Sequence, residues 1–565
     1  MSQQQAACYD YDFIVIGSGF GGSVSALRLA EKGYQVAVVE MGKRWRPEDF
    51  PSTNWKLHKY LWRPSAKLEG FFNIRLFKHV MVVCGNAVGG GSITYANTLL
   101  VPPDSVWRDG SWAGLTDWQT VMPKYYATAK NMLGVTTNRT LGDADHLLKQ
   151  MADHAGIGNT FYHTDVAVLF GPEGTPPGTQ IPDPFFNGEG PTRRTCTGCG
   201  GCMTGCRVGA KNTLDQNYLY LAERRGAEVV EQTRVTRITP LSEDGQSGYQ
   251  LILEPATQRT KATTSKRTVH CRGLIIAASS LGTQELLLKQ RADGYLPKLS
   301  QRLGKFVRTN AESIIGVRFR DRQYDLSKGI AIGSGIYLDQ YTHIEAVRYA
   351  AGHDALGVQC SPLVRPHPRL PNALVWLATL LRYPRRALRI HNPIGFARQT
   401  LVLLCMQTLD SHLTMRLKRP WYWPFQRLLC SDGARIPTGI EQANTFAEKS
   451  AKLFNADAIS ALPEVLFGIP TTAHCMGGAV MGRNAAEGVI DYRCRVWGYK
   501  NLYICDGSIL SANLGVNPSL TILALTEHAM SHIPSSSQHD WQDEAGKETL
   551  PQPANRQGFA TALPA

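Results

Sequence analysis

Four cysteines fall within eleven residues, at Cys196, Cys199, Cys202 and Cys206, in the pattern C-x2-C-x2-C-x3-C. That is the ligand spacing of a bacterial iron–sulfur cluster. A structural zinc prefers two separated ligand pairs, and cysteines can also be buried simply as packing residues. Three readings therefore stand, with the cluster fitting the spacing best. Two features depart from the ferredoxin pattern. Arg207 follows the last cysteine in place of proline, and no second such motif exists.

Gly17, Gly19 and Gly22 spell G-x-G-x-x-G, with Phe20 inside the motif. The apolar run "FIVI" precedes it, a helical pattern follows, and "YQVAVVE" ends in Glu40. In this strand–turn–helix–strand context the motif reads as a dinucleotide site. The first glycine allows the tight turn, the second lets a pyrophosphate approach the backbone, and the third lets helix and strand pack closely. The phosphates would sit on the helix N-terminus. Glu40 would accept hydrogen bonds from ribose hydroxyls, and its charge disfavours a 2′-phosphate. The motif alone does not separate FAD from NAD.

Two further residues suit alcohol oxidation. His474, in "TAHCMGG", lies in a glycine-flanked turn where backbone can approach a cofactor. Histidine is the usual proton acceptor near neutral pH. Asn517 precedes Pro518 at the start of a helical pattern. It is either a cap or an amide aimed at a substrate oxygen.

The elements around these residues indicate an α/β protein. The 565 residues allow two or more domains. A hydrophobic share of 43% with 19% charged residues is globular. Strand, turn and helix recur in "GLIIAASSLGTQELLLKQ" and in "GYKNLYICDGSILSANLGVNPSLTILALTEHA". The middle of the chain looks inserted into a nucleotide-binding domain. The expected division gives residues 1–110, 207–310 and 471–533 to that discontinuous domain. Residues 111–206 and 311–470, with the cysteine block 196–206, form an α+β substrate domain. Residues 534–565 read as a disordered polar tail.

The net charge of +14 permits an anionic surface as partner. No zinc-finger spacing or RNA-recognition signature is present, so nucleic acid is not expected. "LVWLATLLRYPRRALRIH" and "RPWYWPF" set apolar and aromatic residues beside arginines, a composition suited to an interfacial lid. A packed helix with a basic solvated face is the alternative. No signal peptide or spanning apolar run is visible, so the expected location is cytoplasmic, at most peripheral to a membrane.

Four blocks together resemble the glucose–methanol–choline (GMC) family of flavin oxidoreductases: Gly17–Glu40, "AVGGGSITYAN", "TAHCMGG" and "DGSILSANLGVNPSLTI". "YANTLLVPP", "CMTGCRVGAKNTL" and "THIEAVRY" are similar to segments of bacterial cholesterol oxidases of the mycobacterial type. The resemblance implies a Rossmann-like FAD-binding domain interleaved with a substrate domain, and non-covalent FAD. It also implies oxidation of a sterol 3β-hydroxyl, with hydride passing to flavin N5 and then to O2. Carried over by position, Gly90, Gly91 and Asn97 would lie along the pyrophosphate and flavin, and Val235 at the adenine. Asp506, Gly507, Asn517 and Ser519 would approach the ribityl chain and flavin. His474 and Asn517 become the catalytic pair. Glu345 becomes the pocket carboxylate that shifts a 5-ene to a 4-ene, its pKa raised by apolar surroundings.

The block "CMTGCRVGA" also resembles that of flavin-dependent sugar dehydrogenases, where the cysteines hold an iron–sulfur cluster. Two alternatives follow: a dehydrogenase sending electrons through a cluster to a protein or quinone, and a non-catalytic redox-sensing or lipid-binding flavoprotein.

Overall fold

The computed structural model describes residues 9–541 apart from 262–264, 322, 366–368, 422, 434, 435 and 437. Tyr11–Ile16 pairs in parallel with Val36–Val39 on one side and Arg267–Ile276 on the other. Glu228–Val230 and Leu502–Ile504 extend the parallel set. Parallel strands covered on both faces must be apolar throughout, and Phe13, Ile14 and Val15 are fully buried. Antiparallel Tyr249–Pro255 and Thr233–Pro240 complete a seven-stranded sheet. Helix Phe20–Glu31 leaves the first strand and packs on helices Tyr218–Arg224 and Ser519–Ser531.

A second seven-stranded sheet is antiparallel. Its order is Cys360–Pro362, Asp457–Ala461, Ser313–Arg318, Thr400–Gln407, Thr342–Val347, Ile332–Tyr337, Tyr162–His163. Side chains on a strand alternate between faces, and this sheet uses both. Ile315, Val317, Ile344, Ala346, Leu401 and Leu403 pack against helices Asp143–His154 and Glu441–Leu453. Ile314, Val347, Val402, Leu404 and Ile459 form a separate apolar layer on the other face. Between the two sheets runs a small third one of Phe72–Leu76, Met81–Gly85 and Thr471–Thr472.

Two segments depart from the expected division. Helix Trp118–Met132, expected with the substrate domain, packs on Ser519–Ser531 and joins the core of the first sheet. The reason is a cluster of three tryptophans, Trp107, Trp112 and Trp118, with ring centroids 4.8 Å and 5.4 Å from that of Trp107. They need a broad apolar surface, and the last helix offers one. The expected tail also begins too early. Ser536–Gln538 forms a short helix, and Trp541 sets its ring 5.3 Å from Phe13. Residues 542–565 lie outside the described residues.

One buried ion pair ties helix Asp143–His154 to the second sheet. Arg348 Nη2 lies 2.6 Å from Asp145 Oδ1, and both side chains are fully buried. Asp145 also accepts from Ser334 Oγ at 2.7 Å and from the Gly142 N–H at 2.8 Å. Removing one partner of such a pair strands the other charge. Asp145→Ala should therefore destabilise the fold by about 3–5 kcal/mol, read as a lowered melting temperature of the flavin-loaded protein.

Candidate active site

A cavity of about 1210 Å³ runs between the two large sheets. Sites for one drug-sized ligand measure about 300–1,000 Å³, so this one has room for a dinucleotide and a second molecule.

One half of the cavity is a glycine cradle. Gly17 has φ +100°, and a Cβ there would stand 2.2 Å from the Ala277 carbonyl oxygen. A Cβ on Gly22 would meet the Gly17 oxygen at 2.0 Å. Gly90, at φ +53°, passes so close to Gly19 that a Cβ would lie 2.5 Å from its Cα. Two loops far apart in sequence thus meet backbone to backbone, which leaves amides facing the cavity at the start of helix Phe20–Glu31. Phe20 stands edge-on to Tyr95, with 5.6 Å between centroids. Glu40 follows strand Val36–Val39 and is pinned by Ser18 N–H (3.0 Å), Ser18 Oγ (2.7 Å) and Gly42 N–H (2.8 Å). Burial pushes its pKa up, against those bonds.

Gly17, Gly19, Phe20, Glu40, Gly90, Gly91, Val235, Asp506, Gly507, Asn517 and Ser519 all line this one cavity. Val235 comes from Thr233–Pro240, and Ser519 opens the last helix. Asp506 accepts from Ser508 N–H at 2.8 Å and from Thr283 Oγ1 at 2.5 Å. Asn97 differs. It is fully buried at φ +59°, and the wall here is Thr94, Tyr95, Ala96 and Thr98 instead.

The chemistry-bearing residues meet at the seam. His474 and Asn517 line the cavity where cradle and apolar half join. Asn517 Nδ2 donates to Glu345 Oε2 at 3.1 Å, while its buried Oδ1 has no protein partner. Glu345 is fully buried and stands behind Asn517, off the cavity wall. Burial raises its pKa to about 7, opposed by the Asn517 bond and by His474, and helped by Glu312.

Glu312 was not singled out from sequence. Its Oε1 pairs with His474 Nδ1, and its Oε2 accepts from the Ala473 N–H at 3.1 Å. Burial works against a charged His474, but Glu312 outweighs it by charge and hydrogen bond, so the imidazole pKa moves up. The signal that could have revealed it is an acid at the mouth of the apolar strand "SIIGVRFR", since a carboxylate is seldom fully buried unless paired.

The cysteine block folds differently from a ligand set. All four cysteines line one small cavity of about 10 Å³, about one water-sized probe sphere. Among the described residues no group of three or more His, Cys, Asp or Glu side chains has metal-holding geometry. Cys199 is exposed, while Cys202 is buried. The buried Lys211 beside them donates to the carbonyls of Ile93 (2.9 Å), Tyr95 (3.0 Å) and Cys202 (2.7 Å). The expected iron–sulfur centre does not fit this arrangement. Lys211 instead ties the Cys202 carbonyl to the loop after Gly90.

The glycine cradle fits FAD, and the comparisons agree. An FAD-binding domain model matches residues 12–48, and GMC oxidoreductase models match 192–294 and 430–526. The fold resembles that of pyridoxine 4-oxidase from Mesorbium loti, with TM-score 0.60 at 13% identity over 94% of this chain and 99% of that one. A fungal aryl-alcohol oxidase gives TM-score 0.56 at 14% identity over 93% and 98%. The chain belongs to the GMC oxidoreductase family. Its relatives there include a cholesterol oxidase of Acinetobacter baumannii, 54% identical over 96% of this chain and 97% of that one. A cholesterol oxidase of Mycobacterium tuberculosis is 44% identical over 95% and 93%.

Glu312→Gln removes the charge that raises the His474 pKa. If the neutral imidazole is the working form, the acidic limb of the kcat/KM profile should move to lower pH. The rate should fall by about 10²-fold as the ring loses its orientation. A pH–rate series on both proteins checks this.

Proposed function

We propose that this protein oxidises the 3β-hydroxyl of a sterol to the ketone, using FAD and O2. The observation that carries the reading is the seam, where an apolar cavity half meets a dinucleotide cradle at His474 and Asn517. The two cholesterol oxidases support the substrate class. Bound FAD would supply the hydride acceptor and pass the electron pair to O2.

The chain's own residues handle the proton and the alignment. Neutral His474 takes the hydroxyl proton, and Glu312 holds its ring from the opposite nitrogen and favours the imidazolium so formed. The Asn517 amide has one bond to Glu345 and an unpaired oxygen, and its place on the wall suits it to fix the substrate oxygen. Burial raises the Glu345 pKa to about 7, which suits a group that carries a proton in a 5-ene to 4-ene shift. In this structure it stands behind Asn517, off the cavity wall, so Asn517 must move aside for it to reach a substrate carbon. The sulfur geometry described above gives no support to a route through a cysteine-held cluster.

Glycines 17, 19 and 90 would seat the pyrophosphate, Glu40 the ribose and Val235 the adenine. His474→Gln should lower kcat by about 10²-fold or more while leaving FAD content unchanged. Steady-state turnover against flavin absorbance separates the two effects, and full activity in this variant would remove His474 from the mechanism.

A membrane surface is the proposed source of substrate. Among the described residues no helix is long and apolar enough to cross a membrane. Helices Asn372–Arg382 and Pro384–His391 nevertheless leave Leu374, Leu377, Leu381 and Leu388 exposed, with Ile394 beyond them. No acid occurs between Asp354 and Asp410. Leu356, Gln359, Cys360 and Phe396, which flank these helices, line the apolar half of the cavity. Phe425, from "RPWYWPF", instead lines the nucleotide half beside Arg427, which bonds the Ala292 carbonyl. The two basic–apolar segments therefore do not form one lid. Arg386 and Arg389 are drawn to Asp457, so apolar insertion is the better lever. Leu381→Glu with Leu388→Glu should weaken co-sedimentation with anionic vesicles about tenfold or more. Equal binding would sink this surface.

A further inference from the structure

The two ends of the cysteine block meet in the fold. Leu169 joins them: its carbonyl accepts from the Cys196 N–H at 2.7 Å, and its own N–H donates to the Ala210 carbonyl at 2.9 Å. The Gly209 N–H closes a turn on the Cys206 carbonyl at 3.2 Å. Cys196 and Cys206 therefore line the same cavity of about 10 Å³. The Cys196 sulfur also accepts from the Gly198 N–H at 3.4 Å.

Two buried cations stand against this cavity, Lys211 and Arg193. Lys211 bonds only the three carbonyls described above. Arg193 Nη2 bonds the carbonyls of Gly209 (3.3 Å) and Lys211 (3.0 Å), and its Nε is buried with no partner. Among the described residues neither side chain bonds a carboxylate. Burial lowers the Lys211 pKa to about 8, opposed by the charges of Cys202, Cys206 and Asp215. Burial works against a charged Arg193 as well, opposed by Asp215 and Cys206. Neutral carbonyls alone compensate buried charge poorly. Cys206 is the sulfur that both cations feel, and it is half-buried rather than sealed. Cysteines that react with oxidants sit in such electropositive, partly exposed surroundings.

We propose that Cys206 and Cys196 form a peroxide-responsive dithiol. Cys206 Sγ takes one oxygen of H2O2, the O–O bond breaks, and the thiol proton leaves with the other oxygen as water. Cys196 Sγ then attacks the sulfenic sulfur, the S–S bond forms, the S–O bond breaks, and a second water leaves. The two thiols lose two electrons and the peroxide gains them. The oxidant is the H2O2 that O2 becomes on taking the electron pair and two protons from reduced flavin. For that supply the inference rests on the sterol-oxidising reading. The new bond closes the segment that carries the Cys202 carbonyl and Met203, a residue of the large cavity wall. Drawing Cys206 onto Cys196 displaces that carbonyl, one of the three bonds by which Lys211 holds the loop after Gly90. Oxidation therefore loosens the hold on FAD.

The test adds H2O2 directly to the flavin-loaded full chain, so it does not depend on turnover. Alkylation and peptide mass mapping should find Cys196 cross-linked to Cys206, and dithiothreitol should reverse it. FAD release, followed by flavin fluorescence, should quicken about threefold or more on oxidation, as for the loss of one hydrogen bond. Cys206→Ser and Cys196→Ser should release FAD at the untreated rate with or without peroxide. Thiols that stay free, a cross-link between another pair, or release that oxidation does not change overturns the proposal. The same quickening in Cys206→Ser overturns it too, as does metal held by these cysteines in the purified protein. A second arm supplies sterol and O2, with and without catalase. The cross-link should form only without catalase. If added peroxide forms it and sterol does not, the sterol-oxidising reading fails and the dithiol stands.

Discussion

The site depends on one contact, the fully buried carboxylate of Glu312 against the His474 imidazole. Glu312 stands at the start of a strand in the antiparallel sheet. His474 belongs to a loop running back toward the nucleotide-binding core. The pair therefore crosses the line between the two layers at the point where a substrate must meet FAD. A carboxylate without a partner there would carry a heavy desolvation cost. The imidazole, its neighbour Ala473 and the loop that carries them are held in register by that requirement. Asn517 and Glu345 repeat the arrangement, joining the last helix to the middle of the same sheet. Two short polar links fix the relative position of two large apolar bodies.

Around them, burial does most of the electrostatic work. Glu40, Glu345 and Asp506 are all moved upward by desolvation, each restrained by its own hydrogen bonds. His474 goes the other way from most buried histidines because an acid sits on it. The result is a histidine whose pKa is raised by its paired acid, and a carboxyl that burial raises to about 7 behind Asn517. This is the separation of roles by environment that acid–base chemistry needs.

Much of this was legible in the chain. The glycine motif predicts its own geometry, because a turn at φ +100° beneath a carbonyl tolerates no side chain. The parallel strands announce themselves as uninterrupted apolar runs. His474, Asn517 and the cradle residues are placed by motif, and the folded chain brings them to one cavity. Glu312 was hidden because its partner is distant in sequence, and pairing across a fold leaves no local trace. The cysteines misled for the opposite reason. Their spacing is local and strong, but Lys211 draws that loop onto three backbone carbonyls, and the sulfurs fall where a cluster does not fit. Helix Trp118–Met132 was assigned by position along the chain, while its tryptophans answered to the nearest large apolar surface.

The alternation of strand Thr400–Gln407, whose Val402 and Leu404 line the cavity two residues apart, has a consequence for how such a pocket can change. Positions facing the cavity come at steps of two residues, each step about 7 Å of depth. The wall works as a ruler with fixed graduations. Replacing a side chain at one graduation alters what is recognised at that depth and leaves the others alone. Inserting or deleting a single residue turns every later graduation to the opposite face. New substrates of a similar length are therefore reachable by substitution, whereas a new length requires changes of two residues at a time.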